Sequence, residues 1–240
     1  MPTMHRLAAL MGALVVVGGC AAPDSDSALL PDLPASATST TSTTSTTGAT
    51  SSAVPQQSPS QPAPPPDAAP AAVAAWIAAG RPADPAGYQT VERDDTTTQL
   101  EGDEVAFRLP GPLEPNHLAG CIRRWAPNLS CLPGLRDTPD RPDGLVGQWI
   151  PGWVDFDGSM ISIGSVHGDP GVFNDGAGKV LPYGDSLKFG DYQCRSDPSG
   201  LYCVSLSRQT GMRLSDTVTA FGCVRQATPP YGIGQQFFCD

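Results

Sequence analysis

The sequence predicts an all-β fold: a small antiparallel, disulfide-stapled, sandwich-like domain with one short N-terminal helix, preceded by a disordered tether. Three observations predict it. Short apolar or alternating runs lie between clusters of Gly, Pro and Asp, as is typical of strands joined by turns. Helical periodicity is confined to one short segment. Six cysteines beyond the N-terminal region are spaced to staple neighbouring segments.

The N-terminus has the pattern of a secretory signal. Arg6 precedes an apolar run at 7–17, which ends at Gly18, Gly19 and Cys20. The run is far shorter than the roughly 20 apolar residues of a spanning helix, so it fits a signal peptide better than a membrane anchor. The stretch 14–20 resembles the bacterial lipobox. That resemblance implies a signal peptide at 1–19 and diacylglycerol, with fatty-acyl chains such as palmitate, on the thiol of Cys20.

The predicted lipid places the protein at the outer face of the cytoplasmic membrane, where its partner is the membrane itself. Residues 20–67 are the predicted lipidated N-terminus and tether. Their Ser, Thr, Pro and Ala cannot bury enough apolar surface to offset the conformational entropy of ordering. The tether either carries O-linked sugars or is an unmodified spacer.

A short amphipathic helix is predicted at 70–80, and the helix with its connection occupies 68–87. Val73, Trp76 and Ile77 follow i, i+3, i+4 spacing, with a proline in the first turn and a glycine past the end. We expect the Trp76 side of the helix to pack on the folded β-rich domain, which we place at 88–240.

Strands are predicted at 105–107, 153–156, 160–163 and 201–204. The best-determined hairpin folds about 197–200, whose Asp, Pro and Gly match type I turn preferences. This turn places Cys194 opposite Cys203, at a Cα separation that a disulfide can bridge.

The chain has seven cysteines, and Cys20 is assigned to lipid. The other six allow 15 pairings. We favour nearest-neighbour pairs as a hypothesis: Cys121 with Cys131, Cys194 with Cys203, and Cys223 with Cys239. Their spacing lacks the paired C-x₂-C sets of zinc sites, so no metal and no other cofactor is expected.

Part of the chain resembles a domain of unknown function from secreted proteins and lipoproteins of mycobacteria and other actinobacteria. In that family the pattern reads roughly L-P-Y-G, a cysteine, G-L-x-C, then T-G-x-G-F-x-L-S. The matching residues here lie at 180–186, Gly190, Cys194, 200–203 and 210–215, with a looser match at 107–131. Met212 and Arg213 depart from the pattern, and 132–179 lacks a cysteine pair seen in many relatives. The resemblance implies an exported β-rich domain and transfers no functional residue.

Catalytic residues are sparse. The formal net charge of −10 makes nucleic acid an unlikely partner, since phosphates would be repelled. After the leader, His117 and His167 are the histidines. Ser165, His167 and Asp169 suggest a nucleophile, base and acid. On one strand, however, they would lie about 6–7 Å apart, too far for a triad. The sequence therefore predicts a polar loop after a strand ending at Ile163.

Two further patterns have alternative interpretations. The acidic fragments 155–159 and 174–176 suggest calcium, but they lack ligands and fit hairpin turns better. Trp149 and Trp153, with Trp125, could form an aromatic ligand surface, although core packing is favoured. The Asn128-Leu129-Ser130 glycosylation pattern is treated as chance.

These observations favour a non-enzymatic binding or structural module of the cell envelope, with an envelope protein or glycan as ligand. The alternative is an envelope hydrolase that acts on cell-wall glycan or lipid and assembles His117, His167 and an acid from distant segments. A third possibility is a passive surface protein.

Overall fold

The structure is a computed structural model, and it describes residues 61–111, 120–167 and 171–239. Cys20, the signal peptide, most of the predicted tether, His117 and Asp169 lie outside these residues. The predictions made for them are therefore untested.

The described residues form sixteen strands and one α-helix, which confirms the all-β class. In chain order these are α1 Pro70–Ala78, β1 Arg81–Ala83, β2 Thr90–Arg93, β3 Thr96–Gln99, β4 Val105–Arg108, β5 Gly120–Arg123, β6 Leu129–Leu132, β7 Trp149–Phe156, β8 Met160–Val166, β9 Lys179–Val180, β10 Asp185–Phe189, β11 Tyr192–Asp197, β12 Gly200–Ser205, β13 Thr210–Leu214, β14 Val218–Phe221, β15 Cys223–Arg225 and β16 Ile233–Cys239. Short 3₁₀ turns span Pro85–Tyr88 and Gly171–Phe173.

Two large sheets form a sandwich. The six-stranded sheet has the order β1-β10-β11-β12-β13-β14, and the eight-stranded sheet has the order β15-β16-β8-β7-β6-β5-β4-β9. Neighbours are antiparallel except for β1 with β10 and β4 with β9, which are parallel. Strands β2 and β3 form a separate hairpin. The connection predicted after the helix is thus partly an edge strand, β1.

The chain passes directly from one sheet to the other between β14 and β15. Gly222 makes this corner with a φ of +73°, in the left-handed region that favours glycine. A Cβ at this position would lie 2.8 Å from Pro70 Cγ at the start of α1. The corner therefore joins the two sheets and packs against the helix.

The core lies between the inner faces of the two sheets. Alternate residues of each strand point into it, as the period of two requires. The largest contributors include Phe107, Phe156, Leu187, Leu201 and Met212. Apolar packing across this interface is the main stabilising contribution to the sandwich.

Helix α1 covers the outer face of the six-stranded sheet, as its periodicity predicted. Val73, Trp76 and Ile77 pack against residues of β12 and β14, including Tyr202. The Trp76 Nε1 group donates a hydrogen bond to the Gln61 carbonyl at 3.1 Å. Residues 61–67, the last part of the predicted tether, therefore include a contact with the folded domain.

The three disulfides join the predicted pairs: Cys121 with Cys131, Cys194 with Cys203, and Cys223 with Cys239. In each pair the two residues face each other directly on neighbouring strands. The turn in the Cys194–Cys203 hairpin also has the predicted register, with Asp197 opposite Gly200.

Strand β8 corrects one prediction. It continues through Gly164, Ser165 and Val166, where the sequence predicted a polar loop. Pairing with β7 and β16 explains the extension, because Ser165 lies opposite both Ile150 and Ile233. Residues that look loop-like in sequence are held here by neighbours on both sides.

Candidate functional site

The outer face of the eight-stranded sheet carries a row of polar residues. Ser130, Asp155, Ser162 and Gln236 lie opposite one another on the adjacent strands β6, β7, β8 and β16. Their flanking residues point into the core, so these four point outward. Within the row, Gln236 Nε2 donates to Ser162 Oγ at 3.0 Å.

Asp155 is the centre of this polar row. Its Oδ1 accepts hydrogen bonds from Ser130 Oγ at 2.5 Å and from Asn128 Nδ2 at 2.8 Å. Burial of the carboxyl acts to raise its pKa, but the neighbouring His167, Ser130 and Trp153 side chains together lower the pKa by more. Asp155 therefore favours the carboxylate form. It is not part of a hairpin turn, whereas Asp157 makes one by accepting from the Ser159 and Met160 amides.

His167 follows the end of β8 and lies beside Asp155. Its Nε2 is 3.7 Å from Asp155 Oδ2, which is an ion-pair distance rather than a hydrogen bond. The imidazole stacks on the Trp153 ring, with 3.6 Å between centroids. The side chains of His167 and Asp155 are 29% and 26% exposed, while the Nε2 atom that faces Asp155 is buried.

This arrangement is a histidine–carboxylate dyad and lacks a serine nucleophile among the described residues. Ser165 is buried, and its Oγ has no hydrogen-bond partner within the described part of the chain. Among the described residues, Asp155 is the acid next to His167, and Asp169 lies outside the described residues. The dyad can orient an imidazole and transfer a proton, but it does not complete a triad.

The tryptophans are divided between core and surface. Trp153 is 1% exposed, because Phe173 and the β2–β3 hairpin cover it. It therefore belongs to the core, as the sequence favoured, and cannot present a ligand surface with Trp149. Trp149 is partly buried and lies near Gly164 and Gly234. Trp125 is 69% exposed, beneath the Arg124 guanidinium.

A groove of about 860 Å³ is lined by two loops and by residues of β8, β14, β15 and β16. One wall is the 137–143 loop and the other is the 229–235 segment, with Ile163 and Val218 also lining it. Four prolines contribute to the walls: Pro139, Pro142, Pro229 and Pro230. Tyr231 is 77% exposed at the rim. The volume is within the range of ligand sites.

The groove and the dyad are separate sites, since neither His167 nor Asp155 lines the groove. Sequence reasoning named His167 with an unspecified acid, but it named neither Asp155 as that acid nor the groove. Asp155 could have been recognised as an outward-facing residue, because it alternates with Val154 and Phe156. The groove had no such signal, since its two walls lie far apart in the chain.

No protein-family model matches this chain, and no curated protein or solved structure is significantly similar to it. No helix within the described residues has the length and apolar character needed to cross a bilayer. Residues 61–111, 120–167 and 171–239 also contain no group of three His, Cys, Asp or Glu side chains placed to hold a metal ion.

Proposed function

We propose that this protein is a lipoprotein anchored through Cys20 at the outer face of the cytoplasmic membrane, and that its folded domain binds an envelope protein or glycan. The groove between the 137–143 loop and the 229–235 segment is the ligand site. Its volume of about 860 Å³ is the observation that carries the proposal.

The walls of the groove suit a preorganised binding site. Proline fixes its own φ, so a proline-lined wall loses little conformational entropy when a ligand binds. Tyr231 offers a large ring with a polar tip, and its hydroxyl accepts a hydrogen bond from the Val146 amide at 3.4 Å. That contact links the rim to the loop that follows the first wall.

The test is photo-cross-linking in the native envelope. p-Benzoylphenylalanine is introduced at position 231 of the full, lipid-anchored chain, and at the exposed position 125 in a matched control. We expect a discrete cross-linked product from position 231 and none from position 125. No product, or equal labelling at both positions, would reject the groove as a ligand site. Mass analysis of the product tells protein from glycan.

The anchor has its own test, independent of the groove. Cys20→Ser should release or mislocalise the protein without unfolding its domain, because Cys20 belongs to none of the three disulfides. Cell fractionation measures the release, and the disulfide-linked peptides report the fold. A variant that stays in the membrane fraction would contradict lipid anchoring.

The His167–Asp155 pair favours one second candidate, an envelope hydrolase acting on cell-wall glycan or lipid. The full chain is assayed for release of soluble products from purified peptidoglycan and from lipid esters. Under the binding proposal no hydrolysis is expected. Hydrolysis that is lost in His167→Ala, while cross-linking at position 231 is unchanged, would establish the enzyme instead.

A further inference from the structure

The groove lies beside an open sheet edge. Strand β14 is the last strand of the six-stranded sheet and pairs only with β13 among the described residues. Its neighbour in the chain, β15, turns away at Gly222 to join the other sheet. Val218, the first residue of β14, lines the groove. An unpaired edge and a cavity thus meet at Val218.

The ladder pattern shows which backbone groups of β14 are free. Cys194 and Cys203 lie 4.1 Å apart at Cα, the spacing of a non-hydrogen-bonded pair. The backbone N–H and C=O of one residue point to the same side of its strand. Those of Cys203 therefore point away from Cys194 and bond to Met212 of β13. Met212 in turn has no backbone bonds left for its opposite residue on β14, Ala220. Ala220, and Val218 two residues earlier, therefore turn their N–H and C=O groups toward the open edge.

The first wall of the groove carries three carboxylates, which outnumber the two arginines of the lining, Arg141 and Arg225. Asp137, Asp140 and Asp143 are exposed, and none of them forms an ion pair with another described residue. The Arg141 guanidinium donates to the Leu145 carbonyl, and Arg225 lies on the side of the 229–235 segment, away from this wall in the chain. This wall adjoins the open edge directly, because the Asp137 amide donates to the Asp216 carbonyl just before β14.

We infer that the groove receives an extended, basic segment of another polypeptide, which adds to β14 as a further strand. The inference rests on the proposed function, since it names the ligand class of the same groove. Main-chain hydrogen bonds to Val218 and Ala220 supply affinity, as in other strand-addition complexes. Lysine or arginine side chains of the segment lie along the three aspartates.

The open edge of β14 and the aspartates of the first wall both favour a polypeptide as the ligand. The free groups on β14 alternate donor and acceptor with the period of a strand, which an extended peptide matches. The aspartates attract cations and repel acidic segments, and this attraction weakens as salt screens it. The edge is only four residues long, which limits unwanted pairing between copies.

The test uses a capped, fluorescent peptide of alternating lysine and valine, and its isosteric ester analogue in which ester linkages replace the amides. The full chain is titrated with each in a low-salt buffer. Loss of the N–H donors should weaken binding by about tenfold or more. A glutamate–valine peptide should bind at least as poorly. Hydrogen exchange at Val218 and Ala220 should slow only with the lysine peptide.

A matched pair of variants tests the edge. Val218→Pro removes the free N–H without breaking a bond to β13, and Val218→Thr keeps both the shape and the N–H. We expect Pro to abolish binding and Thr to retain it. If Val218→Pro fails to fold, the ester peptide still decides the question on the unaltered chain.

Equal binding of the amide and ester peptides, or no binding of the lysine peptide, overturns strand addition. A glycan as the product cross-linked at position 231 would also overturn it, while leaving the groove a binding site. Absence of any cross-link at position 231 would instead reject the proposed function itself.

Discussion

The outer faces of the two sheets are covered to different extents. On the six-stranded sheet, helix α1 packs over Tyr202 and encloses Arg195, whose guanidinium lies 3.9 Å above the Trp76 ring and donates to the Trp76 carbonyl. On the eight-stranded sheet, the β2–β3 hairpin covers Trp153 but leaves Asp155 and His167 partly exposed.

The difference separates two roles of a basic side chain that stacks on a tryptophan. Arg195 is 7% exposed and its partners belong to the fold, so it stabilises the docking of the helix. His167 also stacks on a tryptophan, yet it remains open to solvent beside a carboxylate. Burial and stacking alone therefore do not mark a functional site, whereas access to solvent distinguishes the two faces.

The largest effect should come from removing the tryptophan on either face. Trp76→Ala and Trp153→Ala should each lower the free energy of unfolding by about 3–5 kcal/mol, because each leaves a cavity beneath a covering element. Urea denaturation measures the loss. The His167 ring resonances should move strongly only in Trp153→Ala, since that ring stacks on Trp153. Shifts of equal size in both variants would contradict the separation of the two faces.

Removal of one disulfide from each sheet should have the next largest effect. Replacing both cysteines of Cys121–Cys131, or both of Cys194–Cys203, with serine should cost about 2.5–3 kcal/mol by loop entropy. The two losses should be similar, because the sequence separations are 10 and 9. Thermal unfolding of the two double variants checks this. A difference above about 1 kcal/mol would show that strain or packing, not loop closure, sets the contribution of the bridges.

The loss of stability at low pH should show how much the Asp155 carboxylate contributes to the exposed face. The pKa of Asp155 is lower in the folded state than its unfolded value of about 3.9. The carboxylate therefore stabilises the fold above that unfolded value, and this stabilisation is lost as pH falls through the folded pKa. As pH falls from about 5 to about 2, the native chain should lose more free energy of unfolding than Asp155→Asn does.

Asp140→Asn serves as the control for this measurement, because Asp140 is exposed and accepts no hydrogen bond from a described side chain. Its loss of stability at low pH should follow that of the native chain. Denaturant midpoints across the pH series supply the data. Parallel curves for the native chain and Asp155→Asn would show that the carboxylate contributes nothing through its ionisation.

The smallest change in stability is expected from removing a surface ion pair that lies on neither of the two outer faces. Arg136 and Asp216 form an ion pair at 3.4 Å, but their side chains are 83% and 70% exposed. Arg136→Ala should change the free energy of unfolding by less than about 0.5 kcal/mol. The backbone bonds from Arg136 and Asp137 to Asp216 stay in place. A loss of more than 1 kcal/mol in urea denaturation would contradict this.

Local features of the fold could be predicted from the sequence. The Cys194–Cys203 hairpin followed from its turn residues, since Asp197 and Gly200 determine the register within ten residues. The short strands and the Trp76 face of the helix followed from periodicity. All of these depend on neighbours in the chain.

Long-range features could not be predicted in the same way. The parallel pairing of β1 with β10 joins residues about a hundred positions apart. The dyad depends on a bulge in β7 between Ile150 and Val154, which shifts its register against β8 and accompanies the approach of His167 to Trp153. The groove needs two walls from distant segments. One sequence contains no direct signal for such contacts.

The placement of the disulfides has a consequence for maturation. Each bridge joins adjacent strands of one sheet, and none of the three ties the two sheets together. Every cysteine therefore finds its partner once a single hairpin has formed, before the sandwich closes. A chain that emerges progressively into an oxidising space can complete its bridges one by one, in the order of synthesis, with little need for an isomerase to correct them.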